Sequence, residues 1–189
     1  MDDHTLSQLG WLALEVKYLE PAKEFYQEHL DLNVLEETGN EVTFEAGNTE
    51  FDFGNMKSLY FYDRDRHCVE LGQRNITGEG ITGIFEIVLE VEDLRSAEEF
   101  YTLLGGEVTS RGDDRKRVRL DLGCVDFELW EPQLGIADAQ GGVHVDVGFE
   151  TTGNPRRVVE AIEDRALTVE KTDGGIRVKD PDGHYLTFF

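Results

Sequence analysis

The chain has 189 residues, of which 40 are Asp or Glu and 18 are Lys or Arg, giving a formal charge of −22 at pH 7. A length of this order fits one compact unit or two small ones and buries roughly 70% of its unfolded surface. The charge excludes a general nucleic-acid binder and a polybasic membrane anchor, which both need a basic face, and no apolar run approaches the roughly 20 residues of a membrane span.

Leu12, Leu14 and Val16 alternate with polar residues, which predicts a strand. A helix follows, with Pro21 near its start, where a missing N–H costs nothing. Gly39-Asn40 and Gly47-Asn48 then break the chain into short strands. Ile87, Leu89 and Val91 alternate in the same way and lead into a second helix. Its signals are a capping box of Ser96 and Glu99 at the start and Gly105-Gly106 at the end. Gly112-Asp113 and Gly123 punctuate the strands after it. Val143, Val145, Val147 and Phe149 predict a third such strand, with His144, Asp146 and Gly148 on its other face. Asn154-Pro155 caps a helix with the apolar stripe Val158, Val159 and Ile162, and Asp173-Gly174-Gly175 turns the chain into its last strands.

The pattern repeats. Glu15-Val16, Leu19, Ala22 and Glu24-Phe25-Tyr26 recur as Glu90-Val91, Leu94, Ala97 and Glu99-Phe100-Tyr101, at a constant offset of 75 residues. The stretch Phe61–Leu71 resembles Val178–Phe188 at an offset of 117 residues. The offsets differ by 42, so the first half reads as the second half shortened by one strand–helix–strand crossover, with the gap between Thr43 and Leu59. The repeating unit is strand–helix–strand–strand–strand.

The run from Val91 to Leu104 (Val-x-Asp-Leu, then Glu-Phe-Tyr-x-x-Leu) and the terminal Asp180-Pro181-Asp182-Gly183 turn resemble the vicinal oxygen chelate superfamily: glyoxalase I, extradiol dioxygenases and bleomycin-resistance proteins. The resemblance implies an α+β fold of paired βαβββ modules, forming a cupped mixed sheet with helices on its outer face. Residues 82–189 then make a complete two-module domain and residues 1–75 a shortened one. Because one fold hosts many chemistries, the function has to be argued from the site.

In that superfamily the metal ligands sit on the first and last strands of each module. The matching positions here are Glu86, Glu128 and His144, with Thr187 at the fourth, where glutamate is usual. One imidazole and two carboxylates would suit Zn, Ni, Co, Mn or Fe, acting as a Lewis acid on a substrate with vicinal oxygens. The resemblance makes Glu128 also the candidate proton-transferring base. An extradiol dioxygenase would need His at Glu86 and Glu at Thr187, so ring cleavage is disfavoured. Arg117 and Arg119 alternate with Val118 and Leu120 and could enter the cup, Arg119 as anchor for a substrate anion. Alternatively they neutralise Asp113, Asp114 and Asp121. Arg177 and Lys179 could act likewise from the last hairpin, and Trp130 and Tyr185 could supply cavity wall. In the shortened half, Trp11 stands at a ligand position it cannot serve and Glu70 at another. Cys68 and Cys124 read as small buried hydrophobes.

Two functions are compatible with these residues, beside a third possibility, a degenerate structural domain with no ligand. One is a divalent-metal-dependent enzyme of glyoxalase type acting on a small oxygen-rich metabolite. The other is a metal-free small-molecule binding protein of the bleomycin-resistance type. A half-built cup leaves strand edges open, which predicts a homodimer in which the N-terminal segment packs against its partner. Met1-Asp2-Asp3-His4 shows no leader and two cysteines make no disulfide framework, so a cytoplasmic location is expected. Acid residues spread along the whole chain, with 6 Lys against 12 Arg, resemble the proteins of salt-in halophilic archaea.

Overall fold

The structure is a computed structural model that describes residues 6–14, 16–45, 57–62, 68–73, 83–112, 116–131 and 145–189. In chain order the first elements are β1 (Leu6–Leu14), α1 (Leu19–Leu30), β2 (Val34–Glu37), β3 (Val42–Phe44), β4 (Lys57–Tyr62) and β5 (Cys68–Gln73). A first full module follows: β6 (Glu86–Glu90), α2 (Leu94–Leu103), β7 (Glu107–Arg111), β8 (Arg117–Asp121) and β9 (Asp126–Trp130). A second comprises β10 (Val145–Thr151), α3 (Pro155–Glu160), β11 (Thr168–Thr172), β12 (Gly175–Lys179) and β13 (Tyr185–Phe188). The fold is therefore α+β and built on βαβββ modules, as the repeat implies. Among the described residues no helix is long and apolar enough to cross a membrane.

By its contacts the chain divides into a unit of Met1–Glu15 with Glu86–Phe189, and a unit of Val16–Phe85. The sequence places residues 1–75 together, whereas β1 lies in the sheet of the second module. It pairs antiparallel with β10, from Leu6 opposite Thr151 to Leu14 opposite Val145. That pairing spans more than half the chain, and strand periodicity carries no information about so distant a partner.

In the larger unit the two modules have the same wiring. The four-stranded sheet runs β6-β9-β8-β7, and the other runs β1-β10-β13-β12-β11. In each module the first strand is parallel to the last, and the remaining pairs are antiparallel. Alternation sends Ile87, Leu89, Val118, Leu120, Phe127 and Leu129 into the core, each no more than 4% exposed. Val147, Phe149, Val178, Leu186 and Phe188 do the same in the second module. A train of aromatic rings joins the modules: Tyr101 to Phe127 at 5.2 Å, Phe127 to Phe149 at 6.0 Å and Phe149 to Phe188 at 5.9 Å between centroids. Each such ring stabilises the fold by about 1.5–3 kcal/mol through burial.

The helix ends show their causes. The cap of α2 is Asp93, whose carboxylate accepts from Arg95 N–H and Ser96 N–H. The expected capping box at Ser96 is displaced three residues upstream, because an aspartate at the N-cap both fills the open donors and meets the positive end of the helix. Gly105 ends the helix with a φ of 95°, a left-handed conformation that suits glycine. Asn154 caps α3 by accepting from Arg156 N–H, with Pro155 in the first turn, as expected.

A second, polar seam joins the modules. Asp180 is fully buried; it accepts from Tyr101 Oη–H at 2.7 Å and from the backbone N–H of His184 (2.7 Å) and Asp182 (3.0 Å). Burial, reinforced by the Asp180 charge, pushes the Tyr101 phenol well above its usual pKa, so it stays a donor. Glu92 N–H donates to Asp182 at 2.7 Å, and His184 Nε2 donates to the Glu90 carbonyl at 2.8 Å.

In the smaller unit, α1 keeps Pro21 in its first turn and buries Ala22. Tyr26 of the helix meets Phe44 of β3, and Lys23 bonds Glu37 of β2 at 2.8 and 2.9 Å. The β2–β3 and β4–β5 hairpins are separate two-stranded sheets. The expected 42-residue shortening falls between β3 and β4, across residues 46–56, which lie outside the described residues.

Candidate functional site

The face of the first module opposite α2 carries Glu86 and Val88 from β6, Arg117 and Arg119 from β8, and Asp126, Glu128 and Trp130 from β9. Register sets them side by side: Glu86 opposes Asp126, Val88 opposes Glu128, and Glu128 opposes Arg119. The centre of the cluster is a guanidinium. Arg119 Nη2 donates to both carboxylate oxygens of Glu86 at 2.8 and 2.9 Å and lies 3.4 Å from Glu128 Oε1. Arg117 Nη1 reaches the same Glu128 oxygen at 3.2 Å, and Trp130 Nε1 donates to Oε2 at 2.7 Å. The Glu86 and Glu128 side chains are only 4% and 7% exposed, so they are held as buried ions, each with charge-assisted partners. Burial and then Asp121 raise the pKa of Asp126, while Arg119 pulls it down.

The corresponding face of the second module carries Asp146, Gly148, Arg177, Lys179, Tyr185 and Thr187. Asp146 opposes Tyr185, Gly148 opposes Thr187, and Arg177 opposes Thr187. Position for position, Asp146 therefore matches Glu86, Gly148 matches Val88, Arg177 matches Arg119 and Thr187 matches Glu128. The same chemistry recurs: Arg177 Nη2 meets Asp146 Oδ2 at 2.6 Å, and Thr187 Oγ1 donates to Asp146 Oδ1 at 3.2 Å. The Arg177 guanidinium also lies 3.8 Å from the centre of the Tyr185 ring, with Lys179 Nζ at 4.9 Å. β1 adds Trp11, opposite Gly148. Its indole lies against the glycine so closely that a Cβ there would fall 2.3 Å from the ring.

The sequence-derived residues thus divide. Glu86, Glu128, Arg119 and Trp130 come together on one face; Tyr185 is on the other module. His144 lies outside the described residues, and the register gives Asp146 the place in its module that Glu86 holds in the first. Arg119 and Arg117 reach Glu86 and Glu128, a third outcome beside a substrate anion and the acids of their own strand and loop. Only the backbone of Glu70 and Cys68 is described, on β5. Cys124 is a free thiol; burial is the main cause that pushes its pKa up to about 11, which fits an inert small hydrophobe.

Of the three candidate donors for a divalent cation, only Glu86 and Glu128 lie among the described residues. The two carboxylates that would bind it are already neutralised by Arg119 and Arg117. The matching pair in the second module is Asp146 and Thr187, bonded to each other, with Asp146 also paired to Arg177. Among the described residues no group of three or more His, Cys, Asp or Glu side chains is placed to hold a metal ion. The arrangement is a face of paired charges flanked by the Trp130 ring, with the Arg117 guanidinium 5.7 Å from its centre.

No family model matches this chain, and no curated protein matches it either. Among solved structures, glyoxalase I from Zea mays is similar over 99% of this chain and 69% of its own, at 20% identity and a TM-score of 0.53. Lactoylglutathione lyase from Agrobacterium tumefaciens overlaps 56% of this chain and 91% of its own, at 18% identity and a TM-score of 0.44. A glyoxalase-related enzyme from Fulvimarina pelagi overlaps 58% and 89% respectively, at 18% identity and a TM-score of 0.46. The likeness to the Zea mays protein shows a glyoxalase-type fold.

Proposed function

We propose that this chain is a metal-free small-molecule binding protein built on the glyoxalase fold. One observation carries the reading: the Arg119 guanidinium stands between Glu86 and Glu128, where a cation would have to sit. Arginine in that position engages both carboxylates in hydrogen bonds and so takes them from ligand duty. The remaining surface, with half-exposed Val88 and the Trp130 ring flanked by Arg117, is chemically a binding surface.

A second reading has one observation in its favour. Glu86 and Glu128 come from different strands yet converge on a single nitrogen of Arg119. A glyoxalase-type enzyme would use these two with His144 as metal ligands, and Glu128 as base, on a small oxygen-rich metabolite. It requires Arg119 to leave.

Metal analysis of protein purified without chelator separates the two. The binding reading expects far less than one metal per chain, unchanged in His144→Ala, and no heat on titration with Zn or Ni. A stoichiometric metal lost in both His144→Ala and Glu128→Gln would overturn it in favour of the enzyme.

A further inference from the structure

Two rows of side chains can be matched between the modules, across the first, last and third strands of each. In the first module they are Glu86, Asp126 and Asp121, then Val88, Glu128 and Arg119. In the second they are Asp146, Tyr185 and Lys179, then Gly148, Thr187 and Arg177. The first set holds four acids against one cation. The second holds one acid against two cations. One scaffold thus carries opposite charge on its two faces.

The second face has a cation left over. Arg177 Nη2 is taken by Asp146 at 2.6 Å. Lys179 has no carboxylate within ion-pair distance among the described residues, in a chain with 40 Asp and Glu against 18 Lys and Arg. Glu170, opposite Arg177 on β11, is exposed and pairs with neither cation. Instead both cations gather on one ring: the Arg177 guanidinium is 3.8 Å and Lys179 Nζ 4.9 Å from the centre of Tyr185. A ring face attracts a cation, but two like charges this close repel each other. An anion beside them relieves that repulsion and accepts from the donors that Asp146 leaves unused. The other end of the same face is apolar. Trp11 of β1 lies on Gly148, and its indole remains 37% exposed. Between the indole and Arg177 that row holds only Gly148 and Thr187, two short side chains. β1 and β12 are three strand spacings apart, about 14 Å, which a two-ring carboxylate with its contacts at either end can span.

We propose that the second module's face binds a small carboxylate on a flat aromatic body, with the anionic group held by Lys179 and Arg177 and the body against Trp11. The proposal rests on the metal-free binding reading and adds the ligand's chemistry and its place on the second module. Charge selects the ligand at one end, and stacking selects it at the other.

Isothermal titration of the full chain with indoleacetate, in chelator and at fixed ionic strength, tests it. Indoleacetate is expected to bind. The neutral indoleacetamide and the bare anion acetate should each bind about tenfold more weakly or worse, since each lacks one of the two contacts. Lys179→Gln should lose about tenfold in affinity, and Lys179→Arg should keep it. Lys171→Gln removes the same charge from the opposite side of the sheet, on β11, and should change nothing. Absence of indoleacetate binding overturns the proposal, and so does equal binding of the acid and its amide. Equal losses in Lys179→Gln and Lys171→Gln would show a net-charge effect and overturn it too. Should Lys179→Gln not fold, amide NMR of the unaltered chain decides. Ligand-induced shifts centred on Arg177, Lys179 and Tyr185 support the site. Shifts centred elsewhere, as on Arg119, Glu128 and Trp130, overturn it while leaving the binding reading intact. A stoichiometric metal in protein purified without chelator would instead overturn that underlying reading.

Discussion

The two modules of the larger unit share one topology, yet they manage the face opposite their helices differently. In the first, two nearly buried glutamates are held by arginines, and the first strand keeps an exposed valine. In the second, the glutamate on the last strand is replaced by Thr187, the valine by Gly148, and β1 lays Trp11 across the gap. The glycine makes that possible: any side chain at Gly148 would occupy the space of the indole. The missing side chain at Gly148 is therefore what lets Trp11 cover this part of the second face from within the chain. The common element is the third-strand arginine, Arg119 or Arg177, paired with a first-strand acid. It shows that charge pairing, rather than any one ligand set, is what the repeat preserves within this chain.

The comparison breaks most sharply at the arginines. Arg119→Ala leaves two carboxylates, 4% and 7% exposed, without their shared partner. Breaking a buried pair of this kind costs about 3–5 kcal/mol. Arg177→Ala strands one carboxylate, Asp146, at 16% exposure and with Thr187 still donating, so a loss of about 1 kcal/mol is expected. Urea unfolding of both variants at molar salt measures the difference; equal losses would show that the two faces are held alike. Gly148→Ala is next. Its Cβ would meet the Trp11 ring, and overpacking of this order costs about 1–3 kcal/mol. The matching Val88→Ala touches an exposed side chain and should change stability by less than about 0.5 kcal/mol. Trp fluorescence should report the release of Trp11 in the first variant and no change in the second.

Much of this architecture is legible in the amino-acid order. The 75-residue offset gives two strand–helix starts, Asn154-Pro155 gives the third, and the Asp180-Pro181-Asp182-Gly183 turn marks the last hairpin. Other features are not legible, for identifiable reasons. His144 and Asp146 are two residues apart on one strand, so alternation puts both on the same face, and only ladder register tells which one matches Glu86. Arg119 has its partners 9 and 33 residues away, and alternation gives a side chain's face without giving its neighbour. The pairing of β1 with β10 is longer-range still. The cap of α2 was open to local reading: Asp93 and Ser96 are both competent, and the charged side chain nearer the apolar run takes the role.

The turn that ties the modules offers the finest test of how independent the two faces are. Asp182 accepts from Glu92 N–H through Oδ1, while its Oδ2 and the Nδ1 of His184 are buried without a hydrogen-bond partner among the described residues. Burial is the main cause that raises the Asp182 carboxyl above its ordinary value of 3.8; Asp180 adds to it, and the Glu92 N–H opposes it. A raised acid means that the folded state holds this proton more tightly than the unfolded one. Its contribution to stability is therefore greatest below pH 3.8, declines as pH rises toward the folded value, and remains a penalty at neutral pH. Asp182→Asn keeps the acceptor for Glu92 and removes the charge. The variant is expected to unfold at slightly higher urea than the unaltered chain at neutral pH, by less than about 1 kcal/mol, with the two curves converging in acid. A loss of stability at neutral pH would mean instead that the Asp182 charge holds the second module's turn against the end of β6. The two modules would then be coupled through that ion as well as through their shared core.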